Sequence, residues 1–270
     1  MKGIANDDYV VGCDLSYVDA HIHLADPAYD QVAALLDDAL ANNVAYLLSN
    51  GMDYGSSLRT VELSKRYNRV IAAVGVHPWI ATNSNTMPDL PTFERLVEDN
   101  KKHVKAIGEI GLDGKYTQDD AAKQRQRETF LFFLALAERR TLPVVIHSRL
   151  AITEILEILP SFKLVRVLLH WYSGPLETLR LIKDRGYLIS VGPPILYSKQ
   201  VAEVAREADL SIILTETDGP VSYYGPFKGK PTRPSFVVAV VKHLSEIRNK
   251  TVEETRQIIW QNFHSLILLE

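Results

Sequence analysis

The sequence contains one cysteine, Cys13, among 270 residues, so no disulfide can form within the chain. A single free thiol fits a reducing compartment, and we expect a cytoplasmic protein. No apolar run approaches the ~18 to 20 residues of a membrane span, so we expect no membrane association. The N-terminal segment carries acidic residues where a signal peptide would have an apolar stretch.

The sequence also lacks an excess of positive charge, since its formal net charge is −3. No global field attracts polyanions, and any affinity for nucleic acid must be local. A glycine-rich phosphate loop does not follow the first predicted strand, which disfavours a dinucleotide-binding fold. We find no internal repeat, low-complexity tract or linker. Residues 1–270 are therefore predicted to form one domain, with no obligatory protein partner evident.

Eight short runs rich in β-branched and apolar residues recur along the chain, each followed by a segment with helical spacing. The runs are YVDAHI, VAYLLSN, VIAAVGV, VKAIGEI, LPVVIHS, VRVLLHW, GYLISVG and SIILTET. Nearly continuous apolar runs are typical of parallel strands buried on both faces. Eight strand–helix units predict an α/β fold, a closed (β/α)8 TIM barrel. A doubly wound open sheet is the alternative.

Local signals also predict several helices and their ends. Apolar stripes begin at Val32, at Ile152 and at Val201, and the first of them is expected to include Leu40. Gly186 is placed to end the sixth crossover helix. Thr251, with Glu254 three residues later, forms a capping box for a last helix.

Five of the eight histidines fall at or beside the predicted carboxyl end of a strand: His21, His23, His77, His147 and His170. Residues i and i+2 of a strand share a face, so His21 and His23 point the same way. Glu109 and Asp218 end the fourth and eighth strands. Active sites of such barrels lie at this face, and these side chains suffice for two adjacent divalent cations.

The motifs DAHIHL, GVHP, AIGEIGLD, LPVVIHSRLA, LHWYSG and LTETDGP resemble, in order and spacing, those of the TatD family of metal-dependent hydrolases. The resemblance runs from about residue 17 to residue 234. It implies a (β/α)8 barrel and a deoxyribonuclease-type activity. His21, His23 and Asp218 are implied as ligands of one metal. His147 and His170 are implied as ligands of a second, with Glu109 bridging the pair.

Two further residues are predicted to bind substrate. The resemblance implies that His77 faces a phosphate or leaving group, and Arg149 offers a bidentate fork to a phosphate. Trp79 and Trp171 could stack bases at the mouth, but both are interpreted as packing residues and left out of the predicted site. The chain departs from the family pattern on loops facing the substrate, where Gly114 replaces an aromatic residue, Trp171 replaces a cysteine, and GKPTRP replaces a later motif.

The leading hypothesis is a hydrolase that cleaves phosphodiester bonds, with water activated by two cations, and the resemblance implies DNA ends as its substrate. Asp218 is the predicted base, and zinc, magnesium and manganese all remain possible. The alternative is a metal-dependent hydrolase of a small-molecule ester, lactone or amide. A third hypothesis is a barrel that binds a metal for stability and serves as an interaction partner.

Overall fold

The computed structural model describes residues 16–82, 89–117 and 119–267. Cys13 and the acidic N-terminal segment lie outside these residues. A single sheet contains eight parallel strands in the order in which they occur in the chain. The strands are β1 (Tyr17–Ile22), β2 (Val44–Asn50), β3 (Val70–Val74), β4 (Val104–Gly111), β5 (Val144–His147), β6 (Val167–Leu169), β7 (Leu188–Val191) and β8 (Ile213–Thr215).

Helices follow the strands and cover the outside of the sheet. They are α1 (Val32–Ala41), α2 (Tyr54–Arg66), α3 (Pro78–Ala81), α4 (Leu90–Asp99), α5 (Asp120–Arg140), α6 (Ile152–Ile158), α7 (Leu179–Asp184), α8 (Lys199–Glu207), α9 (Phe236–Ile247) and α10 (Val252–Ile267). The arrangement confirms the predicted (β/α)8 barrel, and the open doubly wound sheet is excluded. Among the described residues, no helix is both long and apolar enough to cross a membrane.

The first and last strands meet through hydrogen bonds that bring their carboxyl ends together. The Asp218 N–H donates to the carbonyl of His21, and the His23 N–H donates to the carbonyl of Gly219, both at 2.8 Å. Below these bonds, the buried Asp19 carboxylate accepts from the Thr217 N–H at 2.9 Å and from its hydroxyl at 2.6 Å. The junction therefore holds residues from opposite ends of the chain side by side.

The predicted helix signals are confirmed with one exception. Gly186, two residues after α7, has φ +68, and Thr251 and Glu254 exchange capping bonds before α10. The prediction that Leu40 belongs to the buried stripe is wrong, because Leu40 lies on the outer side of α1 and is 48% exposed. Its neighbours Leu35, Leu36 and Ala39 bury the inner side.

Two strands end earlier than their sequences suggest. Strand β3 ends at Val74, and His77 instead caps the amino end of α3, whose first residue is Pro78. Strand β8 ends at Thr215, and Asp218 has φ +45, a left-handed conformation that no extended strand accommodates. His77 and Asp218 are therefore positioned by loops that follow the strands.

Candidate metal centre

Seven polar side chains converge at the carboxyl-terminal mouth of the barrel. They come from the ends of six strands, because parallel strands all end at the same edge of the sheet. We call them the histidine–carboxylate cluster: His21, His23, His77, Glu109, His147, His170 and Asp218. The structure thus brings together seven of the eight predicted site residues. His103, His243 and His264 lie outside the cluster, as the sequence indicates.

One half of the cluster is formed by the two histidines of β1 with Glu109 and Asp218. The two Nε2 atoms of His21 and His23 are 3.1 Å apart. Glu109 Oε2 is 3.3 Å from each of them, and Asp218 Oδ1 is 3.5 Å and 3.3 Å away. Tetrahedral ligands at ~2.0 to 2.1 Å from an ion lie roughly 3.3 to 3.4 Å apart. These four atoms therefore fit the donor set of one divalent cation.

The other half of the cluster surrounds the second oxygen of Glu109. Glu109 Oε1 lies 2.7 Å from His170 Nε2, 2.9 Å from His147 Nδ1 and 3.3 Å from His77 Nε2. The two oxygens of one buried carboxylate thus face two different groups of imidazoles. A carboxylate in this position is suited to bridge two cations.

A glycine allows the strands that carry Glu109 and His147 to approach each other. Gly111 has φ +147, and a Cβ atom there would lie 2.0 Å from the carbonyl oxygen of His147. Any side chain at this position would push β5 away from β4. Gly111 therefore sets the separation of the two strands on which the second half of the cluster depends.

Hydrogen bonds outside the cluster fix the orientation of two imidazoles. His23 Nδ1 donates to the carbonyl of Asn50 at 3.0 Å, which turns its Nε2 toward the cluster. His147 Nε2 donates to the Asp113 carboxylate at 2.7 Å, which turns its Nδ1 toward Glu109, 2.9 Å away. Such outer partners orient metal-binding histidines and increase their basicity. Each ring therefore directs one nitrogen into the cluster, and that nitrogen would give up its proton on binding a cation.

His77 differs from the other imidazoles in its tautomer. Its Nδ1 accepts the backbone N–H of Trp79 at 3.1 Å, so the proton of the neutral ring is on Nε2. Burial lowers the pKa of His77, which keeps the ring neutral. Its Nε2–H therefore points into the cluster as a hydrogen-bond donor, which suits contact with substrate better than contact with a cation.

The electrostatics of the cluster favour positive charge at its centre. Burial alone would raise the pKa of Glu109, but the N–H groups and positive charge of the surrounding imidazoles hold it well below its usual range. Burial alone would lower the pKa of His23, but hydrogen bonds with Asp218 and Glu109 raise it to about 10. The carboxylates thus remain ionised and attract a cation.

Two buried atoms of the cluster lack a hydrogen-bond partner within the described part of the chain. They are Nδ1 of His21 and Nδ1 of His170. Glu216 Oε2 lies 3.7 Å from His170 Nδ1, which is too long for a hydrogen bond. Ser190 in turn donates to Glu216. Glu216 thus lies behind His170, in the place where an outer carboxylate orients a metal ligand.

Arg149 lies at the rim rather than in the cluster. Its guanidinium is exposed, and its Cζ atom is 5.8 Å from the centre of the Tyr116 ring. Trp79 differs from the prediction, because it is 41% exposed and its ring centre lies 4.5 Å from that of His77. Trp171 is partly buried, and its ring lies 5.8 Å from that of Tyr223, as expected of a packing residue.

Sequence reasoning missed Asp113, Glu216 and the placement of Trp79. Glu216 directly follows β8 and lies within the predicted run SIILTET, so its place at the carboxyl end of a strand could have identified it. Asp113 follows β4 on a loop, where no periodicity applies. Its carboxylate accepts from both His147 and the Trp79 indole, at 2.7 and 2.9 Å.

Comparisons with known proteins identify the family and agree with the fold. The family described as TatD related DNase matches residues 18–268. The uncharacterized metal-dependent hydrolase MJ1582 of Methanocaldococcus jannaschii is 32% identical over 252 residues, which cover 92% of this chain and 96% of that protein. The human deoxyribonuclease TATDN3 is 31% identical over 254 residues, covering 91% and 92%. The crystal structure of the TatD homologue YjjV from Escherichia coli K12 superimposes with a TM-score of 0.87 at 28% identity, covering 96% of this chain and all of that one.

Proposed function

Because the chain belongs to the TatD family of metal-dependent hydrolases, we propose that it is a deoxyribonuclease that cleaves phosphodiester bonds with two divalent cations. The observation that carries the two-metal part is the orientation of Glu109. One of its oxygens faces the two imidazoles of β1, and the other faces three imidazoles from β5, β6 and the β3 loop. The substrate part rests on the name of the human relative and on the polar groups at the mouth.

The proposed ligands divide into two sets that share Glu109. His21, His23 and Asp218 would hold the first cation, His147 and His170 would hold the second, and Glu109 would be a ligand of both. When bound, the cations supply Lewis acidity and lower the pKa of water from its ordinary value toward ~7. The set of imidazoles and carboxylates accepts zinc or manganese, and phosphate chemistry is also compatible with magnesium.

The side chains around the cations have separate tasks in this proposal. Asp218 would orient the attacking water and accept its proton, since its carboxylate lies beside the two β1 histidines and its lowered pKa keeps it ionised. Burial opposes that lowering, but the hydrogen bond with His23 outweighs it. His77 donates its Nε2 proton in a hydrogen bond to a phosphate oxygen. Arg149, exposed at the rim, binds a phosphate.

The test is a nuclease assay on the purified protein after loading with zinc, manganese or magnesium. We expect metal-dependent cleavage of end-labelled single-stranded DNA, and its loss when a chelator is present. A parallel panel of esters, lactones and amides serves as the comparison. Turnover of a panel compound without cleavage of DNA would contradict the proposal and support a small-molecule hydrolase.

The basic loop, residues 226–234, offers a test of nucleic-acid binding that does not depend on catalysis. It returns to the mouth, where the Thr232 side chain lies against Gly219, the residue after Asp218. Lys228, Lys230 and Arg233 are exposed on this loop. Arg233 lies 4.0 Å from Asp38, and such an exposed pair adds little stability. All three cations are therefore available to a phosphate backbone.

Replacing Lys228, Lys230 and Arg233 by glutamine should weaken single-stranded DNA binding regardless of its sequence. The slope of log affinity against log salt should flatten by about 0.7 for each phosphate that the loop no longer neutralises, as measured by fluorescence anisotropy. The matched control replaces three other exposed lysines, Lys101, Lys102 and Lys105. They lie at the amino end of β4, which is the opposite end of the barrel. An unchanged slope in the loop variant, or an equal change in the control, would argue against binding of phosphates by the loop.

A further inference from the structure

Three side chains that follow three consecutive strands form an exposed surface next to the histidine–carboxylate cluster. Trp79 follows β3, Tyr116 follows β4 and Arg149 follows β5. The Trp79 and Tyr116 ring centres are 4.8 Å apart, and the Arg149 guanidinium carbon is 5.8 Å from the Tyr116 centre. We propose that these residues, the stacking platform, bind an unpaired nucleobase of the nucleotide adjoining the cleaved phosphodiester bond. This inference rests on the deoxyribonuclease function proposed above.

The aromatic rings are open to a ligand. Trp79 is 41% exposed and Tyr116 is 42% exposed, so a large part of each side chain is open to solvent. Their planes are inclined by 58°, which means that the two rings do not stack on each other. Large aromatic rings are usually buried, and a pair left open beside a cluster of this chemistry indicates a binding surface.

Trp79 is held in place before any ligand arrives. Its indole N–H donates to Asp113 at 2.9 Å, and its backbone N–H donates to His77 at 3.1 Å. Asp113 also accepts from His147, so the position of the indole is tied to two members of the cluster. A ring fixed in this way loses little conformational freedom on binding, which favours affinity.

The position and charge of the platform identify the ligand. The Trp79 ring centre lies 4.5 Å from His77 and 6.3 Å from His147, so a phosphate at the cluster and a base on the platform can belong to one nucleotide. Lys115 Nζ and Arg149 Cζ both lie 5.8 Å from the Tyr116 centre, which adds positive charge suited to an anionic backbone. Every base has a π face, so this contact requires no particular sequence.

The platform also predicts which form of DNA is cleaved. A base inside a duplex is already stacked between its neighbours and must leave them to reach an exposed ring. Single strands, overhangs and frayed ends offer such a base at lower cost. We therefore infer that substrates with an unpaired nucleotide at the cleaved bond are bound in preference to blunt duplexes.

The test measures binding of short single-stranded oligonucleotides with phosphorothioate linkages, which slow cleavage, to the metal-loaded protein. One oligonucleotide is complete, and a series of others has an abasic sugar at one position. Wild-type protein should bind one member of the series about 5- to 100-fold more weakly than the complete strand. Tyr116→Ala should weaken binding of the complete strand to a similar extent, and leave binding of that abasic strand unchanged.

Control variants separate stacking from other effects. Tyr116→Phe keeps the ring and should bind as the wild type does. The matched control for Arg149→Ala is Arg66→Ala. Arg66 also lies over a tyrosine ring, that of Tyr67, at 5.1 Å. It precedes β3 and is therefore at the opposite end of the barrel. Only Arg149→Ala should weaken binding. A 2-aminopurine at the sensitive position should lose fluorescence on binding to the wild type and less on binding to Tyr116→Ala.

The outcomes distinguish the platform from the function on which it rests. Equal losses by Tyr116→Ala on the complete and abasic strands, or no loss on either, would overturn the platform alone. Wild-type protein that neither binds these strands nor cleaves DNA would overturn the proposed function and the platform with it. Metal analysis of each variant ensures that the cluster is intact.

Discussion

Glu109→Ala is expected to reduce the metal content of the protein from about two ions per chain to about one, and to remove most of its hydrolytic activity. The reason is that the two oxygens of Glu109 face different halves of the cluster, so no other residue replaces both contacts. Elemental analysis after dialysis measures the first effect, and the nuclease assay measures the second.

A matched control for this variant is Glu246→Ala. Glu246 also pairs with a histidine, His243, at 3.3 Å, but on the exposed surface of α9. Its removal should change neither metal content nor activity. Glu109→Gln adds a second comparison, since it keeps the size of the side chain and removes its charge. Wild-type protein that saturates with one ion, and a Glu109→Ala variant that keeps it, would contradict the two-metal proposal.

The convergence of the cluster was predictable from the sequence because it depends on strand periodicity and on parallel topology. His21 and His23 share a face by the two-residue period, and His147 and His170 follow strands whose apolar runs are unmistakable. Once eight parallel strands are inferred, their carboxyl ends must meet at one edge. Neither step requires knowledge of any loop.

The outer partners of the cluster were not predictable in this way. Asp113 reaches His147 and Trp79 through a loop conformation that no repeat in the sequence encodes. The exposure of Trp79 depends on the short helix α3, which His77 caps and Pro78 begins. The position of a loop residue depends on such caps and contacts. The sequence therefore indicated that Trp79 packs, whereas its ring is partly exposed.

Asp218→Asn is expected to lower the turnover number by ~10²-fold or more while the fold survives. Asparagine has the same shape and keeps one oxygen for a cation, but it carries no charge and cannot accept a proton. The left-handed backbone at Asp218, with φ +45, favours this replacement, because asparagine tolerates that conformation well. The change therefore tests basicity with little disturbance of the loop.

Turnover and metal content must be measured on the same Asp218→Asn preparation, since the proposal gives this residue two roles. The control is Asp209→Asn, an exchange of the same chemistry near the amino end of β8, where Asp209 pairs with Lys183. Asp209→Asn should keep normal turnover. If Asp218→Asn holds both ions and still turns over near the wild-type rate, another group accepts the proton of water. If it loses an ion and its activity returns at high metal concentration, Asp218 acts as a ligand and not as the base.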